Sequence, residues 1–91
     1  MINNEIEEYY IQSGYVGNAI LWWGKESSGY TANFKNAGRY SKDKTLAIIN
    51  NRPNEDHAWL CSYIDNCEKA QVLTIDSQYL NTDFRILGKK K

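Results

Sequence analysis

The sequence predicts an α+β domain in which a three- to four-stranded antiparallel sheet, a β-meander, packs against one or two helices. Three observations carry this. Two of the three tryptophans and four of the six glycines fall between Gly14 and Phe34, where short β-favouring runs alternate with turn residues. Residues 42–51 bear a helical stripe, opened by Ser41 and stopped by Pro53. Ninety-one residues furnish one modest core and no second one, so a single domain over 1–91 is expected, with 1–7 and 85–91 flexible.

Taken in order, Tyr9, Tyr10, Ile11 and Gln12 have β-favouring side chains and Ser13-Gly14 ends their run, which predicts a first strand over about 8–13. Gly17-Asn18 is a turn signal, since both residues tolerate positive φ. The next strand, Ala19 to Trp23, is apolar at every position. By the two-residue period Ile20 and Trp22 point one way, Leu21 and Trp23 the other, so both faces of a central strand need cover. A polar loop, residues 24–29, leads to Tyr30, Ala32 and Phe34, expected on the buried side of a third strand over 30–34. In the helix, Leu46 and Ile49, with Thr45 and Ile48 beside them, are expected to face the sheet. Residues 58–70 read either as a strand around Trp59 to Tyr63 or as a helix over about 62–70, because a short apolar run fits both periods. A further strand is expected over 72–76, then a mobile basic tail, Gly88 to Lys91.

Composition narrows the function classes. With no apolar run near the roughly 20 residues that span a bilayer, and an acidic rather than basic N-terminal stretch, a cytoplasmic protein with no membrane partner is expected. Cys61 and Cys67 would lie about 9 Å apart along one helix, beyond disulfide reach, so free thiols are expected. The net charge of zero hides alternating blocks: −3 over 1–24, +4 over 25–52, −5 over 53–83 and +4 over 84–91. Such blocks either pair inside the fold or present a one-signed face to a partner.

No residue set specifies a reaction. His57, Cys61, Asp65 and Cys67 are metal-ligand types, but the paired spacing of a closed zinc site is missing, and a Cys–His nucleophile lacks a visible activating contact. Gly14 and Gly17 read as turn glycines, since a phosphate loop needs a lysine and hydroxyl at set spacing. Glu55, Asp56, Asp65 and Asp76 read as surface acids. No catalytic residue, metal or cofactor is therefore expected.

The succession Gly14-Tyr15-Val16-Gly17-Asn18, Leu21-Trp22-Trp23, Gly29-Tyr30-Thr31, Ala37-Gly38-Arg39-Tyr40-Ser41, Tyr63-Ile64-Asp65 and Asp76-Ser77-Gln78 resembles small proteins encoded by phages, prophages and other bacterial mobile elements. The likeness covers about residues 9–80. That group has no assigned activity. What it implies is a habitat, the bacterial host cell, in which small proteins of this kind bind and block host components, including nucleic-acid-targeting defence complexes.

Since one helix of about ten residues covers one face of the sheet, part of the other face is expected to remain for a partner. Aromatic and arginine side chains anchor interfaces, which makes Tyr15, Trp22, Trp23, Tyr30, Arg39 and Tyr40 the candidate binding residues. The expected function is a non-enzymatic inhibitor or adaptor of a host protein complex, of the anti-CRISPR kind, with a CRISPR–Cas effector among the partners considered and homodimerisation as another way to cover the sheet. The competing class is a nucleic-acid-binding accessory protein, stacking bases on Tyr15, Trp22, Trp23, Tyr30 and Tyr40 within a rim of Lys25, Lys35, Arg39, Lys42 and Lys44.

Overall fold

The computed structural model describes residues 7–17, 19–66 and 80–88. Its centre is β1 (Glu8–Val16), which pairs antiparallel with β2 (Ala19–Trp23) on one side and with β5 (His57–Leu60) on the other. Beyond β2 lies β3 (Tyr30–Thr31), and beyond β5 lies β6 (Arg85–Leu87), giving the order β3-β2-β1-β5-β6. The short β4 (Tyr40–Ser41) pairs with Glu8 and Tyr9, along the part of β1 that β2 leaves free. Two α-helices among the described residues, α1 (Lys42–Asn51) and α2 (Cys61–Asp65), complete an α+β fold.

The expected meander is present as β1-β2-β3, and α1 has the bounds and the Ser41 cap that the sequence predicts. The sheet itself is larger than expected, with six strands among the described residues. Gly14 does not end β1. At φ 107° it sits within the strand, where the register shifts between Gln12 and Tyr15 and the strand continues to Val16. The third strand stops at Thr31, because Asn33 accepts from the Lys35 amide and opens a 3-10 turn over Phe34–Asn36. Both readings of 58–70 hold a part of the truth, since β5 ends at Leu60 and α2 begins at Cys61. The strand expected over 72–76 lies outside the described residues.

Residues 85–87, expected to be flexible, form β6 instead. This end of the chain is held by close packing: a Cβ on Gly88 would come within 2.6 Å of the Ile49 carbonyl carbon and 3.0 Å of Pro53 Cα, so only glycine allows the approach to the end of α1.

Successive residues of β1 feed opposite cores. Tyr10 joins Ile20, Trp22, Ala37, Trp59, Cys61, Ile64 and Leu80, with Phe34 and Tyr63 packed against them. Tyr9 and Ile11 join Tyr40, Ile49 and Ala58, with Trp23, Ile48, Leu60 and Ile86 beside them. The first core is roofed by α2 and the Phe34 turn, the second by α1. The expectation that one helix leaves part of the other face uncovered at Trp22 is thereby corrected. The five-residue α2 and the Phe34 turn, too short to carry a periodic signature, supply the cover that α1 does not.

Candidate functional site

Of the six candidate binding residues, Trp23, Tyr30 and Tyr40 meet, and the six do not form one exposed face. Trp22 is fully buried and Tyr40 is 4 % exposed, so neither reaches a partner in this fold. Tyr40 donates its hydroxyl proton to the Gly24 carbonyl, and Trp23, half-buried, stands edge-on to Tyr30 and Tyr40. Tyr30 is half exposed but accepts from Arg52 Nη1 at 3.1 Å. Arg39 is a clasp: Nε donates to Glu8 at 3.1 Å, and Nη1 donates to Tyr10 Oη at 2.8 Å and to Asp65 at 3.1 Å. Tyr10 in turn donates to Asp65 at 2.8 Å, and burial, then this bond, pushes its hydroxyl well above the ordinary range. Only Tyr15, 51 % exposed at the end of β1, stands free for contact on the first core's side of the sheet.

A cleft of about 350 Å³ opens beside the clasp, walled by Glu7, Glu8, Arg39, Cys61 and Asp65. Its chemistry is quiet. Glu8 and Asp65 are committed to Arg39, and burial pushes the Cys61 thiol up to about 12, so at neutral pH it is the protonated, poorly nucleophilic form. The helix that would place His57 and Cys61 on one face is absent, since His57 lies on β5 and Cys61 begins α2. Among the described residues no group of three His, Cys, Asp or Glu side chains converges as metal ligands do. Cys67 and Asp76 lie outside the described residues. No helix among the described residues is long and apolar enough to cross a membrane.

No known protein family, curated protein or solved structure matches this chain. The site must therefore be read from its own geometry.

The two most exposed large apolar side chains among the described residues lie at β6, a segment with no sequence signal of its own. Phe84, the residue before β6, and Leu87, the last residue of β6, are 55 % and 53 % exposed. Register places Leu87 opposite His57, and His57 opposite Gln12, so these side chains share the side of the sheet that holds the first core. Phe84 stacks on Tyr63 at 4.7 Å, and Tyr63 stacks on buried Trp59 at 5.9 Å, so the exposed ring is the outer member of a fixed ladder. Tyr15, opposite Ile20, lies on the same side.

Between Tyr15 and β6 is a second cleft, of about 320 Å³, lined among others by Gln12, Tyr15, Asn54, Glu55, His57 and Arg85. Gln12 is 1 % exposed and accepts from the Trp59 indole at 2.8 Å. Burial, then the neighbouring Arg85 charge, lowers the His57 pKa below its ordinary value. Sequence reasoning missed this surface because β5 and β6 bring together residues from three distant stretches. Only the blocks of opposite charge hinted that these stretches meet.

Proposed function

We propose that this protein is a non-enzymatic, protein-binding inhibitor or adaptor that docks through the surface carrying Tyr15, Phe84 and Leu87. The observation that carries the reading is the three-ring ladder: Phe84 is exposed yet already fixed by stacking, so little side-chain entropy is lost on contact. Aromatic groups in such a position are the kind that dominate interface energies. The mobile-element resemblance supplies the class of partner, a host protein complex, with an anti-CRISPR role as its sharpest form. Nucleic-acid binding is the weaker reading, because Trp22 and Tyr40 are buried and Arg39 is engaged by two carboxylates.

The test is a paired capture from lysate of a bacterial host, comparing the parent chain with Phe84→Ala, Leu87→Asp and, as a control on α1, Leu46→Glu. The expected result is a protein retained by the parent and the control and lost by both surface variants. Equal retention by all four would remove this surface from the function, and submicromolar oligonucleotide binding with a steep salt dependence would replace the reading with the nucleic-acid one.

A further inference from the structure

We propose that the cleft between Tyr15 and β6 is a carboxylate-binding site, which receives an acidic side chain of the docking partner. The partner's identity as a protein rests on the reading above; the cleft's chemistry rests on its own donors. Gln12 is held with its amide oxygen on the Trp59 indole, which fixes the direction of its NH2 group. Among the described residues that NH2 has one contact, to the Gly14 carbonyl at 3.5 Å, the outer limit of a hydrogen bond. A buried donor so weakly used, on the wall of an open cleft, is suited to an incoming acceptor.

Two further donors line the same space. Register sets His57 directly opposite Gln12, and Arg85 lies on the next strand, opposite Trp59. Arg85 Nε is buried and has no acceptor among the described residues. An arginine edge with an imidazole and an amide beside it matches the two oxygens of a carboxylate.

The charge of the cleft chooses among oxyanions. Glu55 stands on its wall, but Arg52 donates to it, and the same Arg52 lies 3.6 Å from Asp56. One Arg52 cannot offset both carboxylates, so Arg52 and Arg85 together balance Glu55 and Asp56, and the proton that His57 takes up supplies the net positive charge of the site. That suits a monoanion, whereas a phosphate dianion would leave one charge unbalanced.

Protonation follows from the same arrangement. The charged and titratable groups around His57 are Arg85 from β6, Asp56 and Glu55 from the segment before β5, and Tyr15 from β1. A bound carboxylate offsets the Arg85 charge and favours imidazolium, so binding takes up a proton. Affinity therefore rises as the pH falls through the His57 range and levels off below the free protein's pKa. A rise of about one unit on binding corresponds to a tenfold affinity difference between the two limits.

His57 is the only histidine in the chain, so its imidazole C–H proton signals report on the cleft alone. The whole protein is titrated with acetate, with a short blocked poly-aspartate peptide, with its poly-asparagine counterpart and with inorganic phosphate. The expected result is that acetate and the aspartate peptide move the His57 signals and raise its titration midpoint by about one unit, while the asparagine peptide does neither. Arg85→Met weakens peptide binding at least about tenfold, and Glu55→Gln strengthens it.

Still His57 signals up to about 100 mM acetate, phosphate binding tighter than the peptide, or undiminished binding in a folded Arg85→Met variant would each overturn the site. Should that variant fail to fold, Glu55→Gln decides, since unchanged or weaker binding there contradicts the charge argument. A silent cleft with capture lost at Phe84 and Leu87 rejects the carboxylate site and leaves the docking surface standing. The reverse pattern rejects the docking surface alone.

Discussion

Trp22 has no exposed surface and Tyr15 keeps half of its own, so truncation separates a core ring from a surface ring on the same hairpin. Trp22 meets Tyr10 at 5.6 Å and Phe34 at 5.8 Å, and Trp22→Ala is expected to cost about 3–5 kcal/mol in urea unfolding. Tyr15→Ala should stay within about 0.5 kcal/mol. Similar losses at the two positions would contradict their assignment to core and surface. The period of two in Ala19 to Trp23 is legible in the sequence and correct: Ile20 and Trp22 enter one core, and Trp23 borders the other. What that period does not contain is the thickness of the cover on each side. From the sequence Trp22 reads as a binding candidate because the roof over it, made from Phe34, Ala37 and α2, comes from segments with no regular spacing. Leu46 shows the opposite error: expected to face the sheet, it is 37 % exposed, and Thr45 takes the buried place with its hydroxyl donating to the Tyr40 carbonyl at 3.5 Å.

Among the elements, α1 was the most legible because its signals are local. Ser41 adopts extended backbone and its hydroxyl accepts from the Lys44 amide at 3.3 Å, while Asp43 sits in the first turn. Ser41→Ala is expected to cost about 1 kcal/mol, read as a lower denaturation midpoint with an unchanged slope. An unchanged midpoint would mean that packing of Thr45 and Ile49, rather than the cap, fixes where the helix begins. The sheet was less legible because its decisive pairings are not local. β5 is four residues long and is defined by lying against Tyr9 to Gln12, and β6 exists only because β5 is there to pair with it. A three-residue strand in a basic tail has no pattern of its own to read. The cleft at β1, β5 and β6 was hidden for the same reason, although each of its donors is an ordinary surface residue type.

At the scale of the molecule, the charge blocks settle into contact with one another. Arg39, from the basic second block, is held by Glu8 of the acidic first block and Asp65 of the acidic third, and Arg52 reaches Glu55 and Asp56 across the next boundary. The pairs of Arg39 with Glu8 and Asp65 and of Arg52 with Glu55 are exposed and add little each, and only the Arg52–Asp56 pair has a buried member, so the cohesion of the fold must come from its cores. Both cores hang on β1, since Tyr10 belongs to one and its neighbours Tyr9 and Ile11 to the other. Moving β1 disrupts both at once, and neither can loosen while the strand keeps its pairing to β2 and β5. The chain is therefore expected to unfold in one transition, with tryptophan fluorescence, weighted towards buried Trp22 and Trp59, coinciding with far-ultraviolet circular dichroism. Tyr10→Ala and Ile11→Ala, placed in opposite cores, should both lower the midpoint of that single transition, with Ile11→Ala costing about 2–5 kcal/mol of stability. If Ile11→Ala instead split the two signals into separate steps, the first core would be stable without the second, and β1 would not be the shared member on which the whole sheet depends.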